Sequence, residues 1–186
     1  YKESICSALS EVPSESRERY AYLWRNSKIS YVKTNGKRIE NCPKTALTIR
    51  LGNKFAKEIR REPSFGTFYS KTIKKNFVLA SIHLRPTAKK PEREVGPLFM
   101  SFEGVKGPVL IAGDFNLDSV HPSFEIASKQ GFRATFRKEA TSLKMKSRVM
   151  NKPYDNIWYR DAEVTQGTVK NLYEALPNLE QRYIYN

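Results

Sequence analysis

The chain has few of the residues that signal a membrane protein, a disulfide scaffold or a nucleotide-cofactor enzyme. No apolar run approaches the roughly 18 residues that a spanning helix requires, so we expect no membrane span. The two cysteines, Cys6 and Cys42, form neither a disulfide framework nor the spacing of a metal site, and they could pair or stay reduced. No glycine-rich phosphate loop is present, so nothing supports a nucleotide cofactor.

Acidic residues are also in deficit. The 186 residues include 33 Lys and Arg against 19 Asp and Glu, a formal net charge of +14 with an isoelectric point near 9.8. Such an excess favours polyanionic partners, nucleic acid first and anionic membrane or heparin-like surfaces second, although a solvated basic face would give the same charge. Hydrophobic residues make up 39%, enough for a buried core, and the length fits one domain or a large part of a bigger one.

Short runs rich in aromatic and β-branched residues dominate the chain, which predicts a mainly β fold. Residues 28–34 are predicted to form a hairpin with the aromatic strand at 19–25, and residues 64–70 a second hairpin with 76–84. The stretch 108–115 is apolar on both faces, as in a strand that is covered on both sides. Further strands are predicted at 5–11, 46–51, 154–160 and 163–169.

Turn and helix signals lie between these predicted strands. Asn35-Gly36 marks the end of the predicted hairpin strand. A helix is predicted to begin at Pro122 and to end at Gly131, because proline favours a first helical turn and glycine the end of a helix. A second helix is predicted over residues 91–102, broken or shortened at Gly96-Pro97. Strands with helices between them fit a layered α/β sandwich better than a Rossmann sheet.

At the end of the apolar stretch 108–115 stand two polar residues, Asp114 and Asn116, that are unusual at the end of a buried strand. Asp114 and Asn116 are two residues apart, so on an extended backbone they point to the same side. A carboxylate beside an amide can serve a hard divalent cation and a phosphate oxygen together. The alternative is an Asx turn that leaves a buried strand.

Four more polar residues stand beside predicted strands, and each has an ordinary explanation by itself. His83 lies within an apolar strand, where a neutral core histidine is the usual outcome. Asp155 heads another apolar strand and could simply cap it. Glu18 precedes the aromatic strand and could pair with a neighbouring arginine, and Arg61 could be a solvated loop residue. Only their combination and order are informative.

In that order, these residues belong to motifs that closely resemble the endonuclease/exonuclease/phosphatase superfamily. The motifs read ERYAYLWR, RREPSFGTF, FVLASIHLRP, VLIAGDFNLD and YDNIWY, and the resemblance covers roughly residues 7–169. Within the superfamily they are nearest to secreted deoxyribonucleases of the pancreatic type, the deoxyribonuclease I-like enzymes. The resemblance implies an α/β fold, a four-layered sandwich of two mainly antiparallel sheets flanked by helices, and it favours a secreted protein.

The resemblance also implies roles for the catalytic residues. His83 would be one of two imidazoles that move protons at the scissile phosphate. Glu18 would be the carboxylate that fixes the orientation and tautomer of His83. Asp155 would pair with the second catalytic histidine of the family. Histidine suits this work because its ordinary pKa lies close to neutral pH.

The remaining implied roles concern binding. Asp114 and Asn116 would hold a divalent ion, Mg²⁺ with Ca²⁺ or Mn²⁺ as alternatives, and would position the phosphoryl oxygens as part of the catalytic group. Arg61 would contact the DNA backbone, and Tyr154 would pack against the substrate near the cut. The implied reaction is divalent-metal-dependent hydrolysis of DNA phosphodiesters, by an endonuclease with little sequence preference.

The resemblance begins after the first two strands of the family and stops before its last catalytic strand. Those parts carry an asparagine, a Gln-Glu pair whose glutamate binds the metal, and a Ser-Asp-His triplet. We therefore expect residues 1–186 to be a single partial deoxyribonuclease I-like domain. We expect DNA hydrolysis in the complete protein and leave it open for this chain alone. The missing strands predict open sheet edges that a complementing segment or a protein partner could cover.

Two other functions remain open at this point. A phosphatase or phospholipase of the same fold would use the same proton and metal chemistry on another phosphoester. A catalytically incomplete, nuclease-like module would bind DNA or protein without cleaving.

Overall fold

The computed structural model describes residues 4–11, 18–42, 47–49, 58–143, 149–163 and 168–169. Most of the strand predicted at 163–169 lies outside the described residues. No helix within these ranges is long and apolar enough to cross a membrane. The strands are β1 (Ile5–Ser10), β2 (Ala21–Arg25), β3 (Ile29–Val32), β4 (Arg38–Ile39), β5 (Leu47–Ile49), β6 (Ser64–Ser70), β7 (Lys75–His83), β8 (Val109–Asp114), β9 (Arg133–Ala134), β10 (Ser142–Leu143), β11 (Met150–Lys152) and β12 (Asp155–Arg160). The helices are α1 (Glu92–Met100) and α2 (Glu125–Lys129), with single 3₁₀ turns at Thr87–Lys89 and Pro122–Phe124.

The described strands form two main sheets and a small ribbon. The large sheet has seven strands in the order β4-β3-β6-β7-β8-β12-β9, antiparallel except for the parallel pair β7–β8. The small sheet has the order β2-β1-β5, with β5 parallel to β1. Strands β10 and β11 pair separately. The predicted hairpin of residues 64–70 with 76–84 is confirmed as β6–β7, and the strand predicted around residues 46–51 is confirmed as β5.

The predicted hairpin between residues 19–25 and 28–34 is wrong. Strand β2 pairs with β1 in the small sheet, whereas β3 pairs with β4 and β6 in the large sheet. Each strand packs an aromatic residue against the same ring, since the ring centroids of Trp24 and Tyr31 lie 5.6 and 5.5 Å from that of Phe68. The chain therefore crosses from one sheet to the other. The Asn35-Gly36 turn instead joins β3 to β4, with Gly36 at a φ of 78°.

The prediction that Gly96-Pro97 breaks or shortens the second helix is also wrong. Helix α1 runs without interruption and contains Pro97. Gly96 has no Cβ to collide with the proline ring, which relieves the usual restriction on the residue before proline. Val95 and Leu98, on either side, are fully buried and hold this turn against the core. The helix predicted from Pro122 is confirmed as a 3₁₀ turn followed by α2, and Gly131 follows it at a φ of 81°.

Two cores lie on the two faces of the large sheet. On one face, α1 and α2 pack onto β7, β8 and β12, and the core centres on Phe99, Phe124 and Trp158. Here Val109 and Ile111 of β8 are fully buried, while Leu110 and Ala112 on its other face are only half-buried, so the predicted two-sided cover is partial.

On the other face, the small sheet packs onto the large one through Cys6, Ala8, Tyr22, Trp24 and Phe68. A disulfide between Cys6 and Cys42, with Cα atoms 4.9 Å apart, ties β1 to the segment that follows β4. Of the two states left open by the sequence, the cysteines are therefore paired. The described residues thus supply a helical layer and two sheets.

Candidate active site

Three residues predicted for the site lie side by side across the large sheet. His83 pairs with Asp114 in the parallel ladder of β7 and β8, and Asp114 pairs with Asp155 in the antiparallel ladder of β8 and β12. Because parallel strands end at the same edge of a sheet, β7 and β8 deliver both residues there, and β12 begins at that edge. Strand alternation directs all three side chains away from the helices and toward the small sheet.

The imidazole of His83 spans the two sheets. Its Nδ1 lies 2.8 Å from Oε2 of Glu18, which precedes β2, and its Nε2 lies 3.7 Å from Oδ2 of Asp114. A carboxylate acceptor at Nδ1 places the ring proton there, so the lone pair of neutral His83 is on Nε2. The side chain is 32% exposed, so solvent and substrate can reach it. His83 is therefore not a sealed core histidine.

The segment from Asp114 to Asn116, at the end of β8, forms an Asx turn and is not extended. Asn116 has a left-handed backbone with a φ of 49°, and its N–H donates to Oδ1 of Asp114 over 2.7 Å. The prediction that both side chains point to one side of an extended strand is therefore wrong in its geometry. The turn still leaves Oδ2 of Asp114 facing His83, while Nδ2 of Asn116 donates to the Leu84 carbonyl over 3.1 Å. The Asx turn is therefore compatible with an Asp114 carboxylate that faces His83.

Gly113 allows β7 and β8 to meet closely enough for this arrangement. It has a φ of 151°, and a Cβ at this position would lie 1.9 Å from the Ile82 carbonyl oxygen. No side chain fits such a contact with backbone. The glycine directly before Asp114 is thus a steric requirement of the parallel pair.

Burial raises the pKa of the Asp114 carboxyl above its usual value, and the charge of Asp155 raises it further. The Asn116 N–H, His83 and Arg61 oppose this shift. Two carboxylates paired in register make this edge of the sheet a place where added positive charge is favourable.

Asp155 is anchored by residues that the sequence did not single out. Its Oδ2 accepts a hydrogen bond from Oγ of Ser142, and its N–H donates to Oγ1 of Thr141 over 2.8 Å. Thr87 holds the Asn116 turn in a similar way. Its hydroxyl donates to the Asn116 carbonyl over 3.1 Å and lies 3.2 Å from the Tyr154 hydroxyl. The residue string ATS before β12 and the threonine four residues after His83 are the only sequence signals for them.

Arg61 reaches the site from the loop before β6. Its Nη1 donates to the Leu84 carbonyl over 2.8 Å, and its Nε lies 3.4 Å from Oε2 of Glu18. Nearby, the buried carboxylate of Glu94 accepts from the backbone N–H groups of Arg60 and Arg85, each over 2.8 Å. Glu94 thereby fixes the backbone next to Arg61 and Leu84, and sequence reasoning missed it.

The donor set suits a hard cation. Asp114, Asn116 and Asp155 offer only oxygen ligands at this edge, and a magnesium ion that keeps several waters needs one or two carboxylates. Calcium and manganese ions accept the same donors. Within the part of the chain that the structure describes, no group of three or more His, Cys, Asp or Glu side chains forms a metal-binding cluster.

Comparisons with known proteins give matches in structure but not in sequence. No protein-family model and no curated protein matches the chain. A conserved protein of unknown function from Enterococcus faecalis matches with a TM-score of 0.55 and 16% identity, over 86% of this chain and 65% of its own. An endonuclease/exonuclease/phosphatase family protein from Bacteroides thetaiotaomicron matches with a TM-score of 0.53 and 15% identity, over 84% and 59%. D. rerio TDP2, solved with a single-strand DNA product, matches with a TM-score of 0.54 and 14% identity, over 88% and 65%.

These matches concern the fold. The chain spans 59–65% of the length of the three structures, and the identities of 14–16% are too low to transfer an activity. The two packed sheets with helices on the large one agree with the α/β sandwich that the motifs implied. The chain has the fold of endonuclease/exonuclease/phosphatase family proteins of known structure.

Proposed function

We propose that this chain is the main part of a divalent-metal-dependent phosphodiesterase that hydrolyses DNA as an endonuclease with little sequence preference. One observation carries the proposal: Glu18 holds Nδ1 of His83 at 2.8 Å while Nε2 faces Asp114 at a partly exposed, oxygen-lined sheet edge. A histidine with one nitrogen hydrogen-bonded to a carboxylate and the other facing a partly exposed site is the arrangement that general acid–base catalysis needs. The fold neighbours include an endonuclease/exonuclease/phosphatase family protein and a TDP2 bound to a DNA product.

Each residue then has a chemical task. Nε2 of His83 takes up or releases a proton at the scissile phosphate, and Glu18 keeps the ring in the required tautomer. Asp155, anchored by Ser142 and Thr141, is held ready to orient a second proton-transfer group. Asp114 and Asn116 would hold the divalent cation, which when bound stabilises the negative charge that develops on the phosphoryl oxygens.

The surface charge favours a nucleic acid over a small phosphoester. A net charge of +14 attracts the phosphate backbone without regard to sequence. The hydroxyl of Tyr154 lies 3.2 Å from that of Thr87 beside the Asn116 turn, and we expect this ring to pack against a nucleotide near the cut. The Cys6–Cys42 disulfide fits an oxidising compartment, as expected for a secreted nuclease.

The test is a plasmid-nicking assay on the longest form of the protein that contains these residues, with the 186-residue chain beside it. We expect nicking with Mg²⁺, Mn²⁺ or Ca²⁺, no nicking with EDTA, and a loss of about 10²-fold or more in His83→Ala. The matched control is His121→Asn, since His121 is the only other histidine and its Nδ1 accepts from the Ser123 N–H at a helix start. Asparagine also caps helices well, so this variant should cleave like the parent.

Parallel substrates separate the two other functions. Faster release of phosphate from p-nitrophenyl phosphate or a phosphoinositide, or cleavage of sphingomyelin, with no nicking, would replace the nuclease with a phosphatase or phospholipase of this fold. Salt-sensitive DNA binding without cleavage of any substrate under any metal would leave a binding module.

A further inference from the structure

Arg61 contacts both the carboxylate that holds His83 and the backbone carbonyl that holds Asn116. Its Nε lies 3.4 Å from Oε2 of Glu18, the same oxygen that lies 2.8 Å from Nδ1 of His83. Its Nη1 donates to the Leu84 carbonyl over 2.8 Å, and that carbonyl also accepts from Nδ2 of Asn116 over 3.1 Å. One guanidinium therefore bridges the carboxylate that orients the imidazole and the carbonyl that orients the amide.

Exposure shows which member of this group is the anchor. The side chain of Glu18 is 52% exposed and that of His83 32%, whereas that of Arg61 is only 19% exposed. A carboxylate–imidazole pair this open to water gains little from its own attraction and exchanges with solvent. The backbone beside Arg61 is in turn fixed, because the buried Glu94 carboxylate accepts from the N–H groups of Arg60 and Arg85.

We propose that Arg61 is a positioning residue: its guanidinium fixes Glu18, and through it the His83 tautomer, and it shares the Leu84 carbonyl that sets the Asn116 amide. This inference rests on the proposed function and changes the role of Arg61 from the expected contact with the DNA backbone. The Leu84 carbonyl accepts from both Arg61 and Nδ2 of Asn116, and because Nδ2 is turned to Leu84, the amide oxygen of Asn116 is left for a cation. A lysine cannot replace this geometry because it lacks the planar fork.

The experiment reads the His83 ring directly, without metal, DNA or turnover. In a His121→Asn background His83 is the only histidine, so ¹⁵N NMR of the imidazole reports one ring. We expect a single Nδ1–H tautomer with a slowly exchanging Nδ1 proton in this background. Adding Arg61→Met should give mixed tautomers and loss of the Nδ1 proton signal, and Arg61→Lys, which keeps the charge, should fail to restore them.

The matched control removes an equal charge elsewhere. Arg38 lies at the far edge of the large sheet, over the Tyr69 ring at 3.4 Å, so Arg38→Met should leave the His83 spectrum unchanged. Circular dichroism shows whether each variant is folded, and Arg61→Lys decides the matter if Arg61→Met does not fold. A single slowly exchanging Nδ1–H tautomer in the folded Arg61 variants overturns the proposal. This result is independent of the nicking assay, which tests the proposed function.

Binding of a duplex oligonucleotide at several salt concentrations tests the alternative role. A phosphate contact contributes about 0.9 to the log–log salt slope, which Arg61→Met would remove and Arg61→Lys would retain. The positioning role predicts that Arg61→Met changes this slope no more than Arg38→Met does. A loss of about 1 in slope, restored by lysine, with an unchanged His83 spectrum, would make Arg61 a phosphate contact instead.

Discussion

The two sheets contribute to the candidate site in different ways. The large sheet places His83, Asp114 and Asp155 by strand register alone, since each pairs with its neighbour across adjacent strands. The small sheet contributes Glu18 from the segment before β2, across the interface between the sheets. Among the described residues, fifteen buried side chains form the core under the large sheet, whereas the core between the sheets has five, with a disulfide.

The candidate site therefore has a rigid half, which is His83, Asp114 and Asp155 on the large sheet, and a dependent half, which is Glu18 with its contact to His83. The carboxylates and the imidazole stay in line as long as β7, β8 and β12 stay paired. The Glu18–His83 contact exists only while the small sheet stays docked. Damage to the two sheets should therefore produce different losses.

The largest effect is expected from Gly113→Ala, which breaks the rigid half. Its Cβ would lie 1.9 Å from the Ile82 carbonyl oxygen, so β7 and β8 must separate, at a cost of about 4 kcal/mol or more. Chemical denaturation measures the loss. Gly104→Ala is the control, because Gly104 also has a left-handed φ of 77° but no atom within 4 Å of the added Cβ, and it should cost about 1 to 2 kcal/mol. Equal costs at the two positions would contradict the close approach of the strands.

A smaller effect is expected from removing the disulfide, which loosens the dependent half. The Cys6–Cys42 link closes a loop with a sequence separation of 36, so Cys6→Ala with Cys42→Ala should cost about 3 to 4 kcal/mol through the entropy of the unfolded chain. Denaturation with and without dithiothreitol measures this cost, and the reductant should destabilise the parent but not the double variant.

The same double variant distinguishes the two halves. In the folded protein the His83 ring should lose its protected Nδ1 proton while the β7–β8–β12 amides stay protected from hydrogen exchange. Simultaneous loss of protection in both sheets would show that they form one unit and would refute the distinction.

The smallest effect is expected from Asp114→Asn, and it is a gain. Burial and the neighbouring Asp155 charge raise the pKa of Asp114, so the native state binds more protons than the unfolded state between the ordinary value of 3.8 and the raised one. Stability of the parent therefore falls as pH rises through this window. Asparagine keeps the acceptor for the Asn116 N–H without the charge, so the variant should be more stable than the parent at pH 7 and equal to it below pH 3.8.

Melting temperatures across pH measure this gain. Glu139→Gln is the control of opposite sign, because backbone N–H donors, first that of Lys138, lower the pKa of this exposed carboxyl. It should be slightly less stable than the parent at pH 7, and this difference should vanish at low pH. A destabilised Asp114→Asn at neutral pH would show that the carboxylate charge is favourable in the fold.

Much of the fold was predictable because the elements are signalled locally. The β6–β7 hairpin, the short strand β5 and the helix after Pro122 follow from alternation, turn residues and proline placement. The pairing of β3 was not predictable, because a strand that buries alternate residues has the same pattern whichever sheet it joins. The continuity of α1 through Pro97 depends on buried neighbours that a local proline rule does not include.

The side chains of the candidate site could be named from the sequence, because His83, Asp114, Asn116 and Asp155 stand in motifs at strand ends whose order along the chain is fixed. How they are held is visible only in the folded chain: the Asx turn at Asp114, the Ser142 and Thr141 contacts to Asp155, and the Arg61 bridge from Glu18 to Leu84. The reason is the sequence distance over which each interaction acts. Strand and turn signals act between neighbouring residues, whereas the contact of Glu18 with His83 joins residues 65 positions apart and forms only after the two sheets have docked.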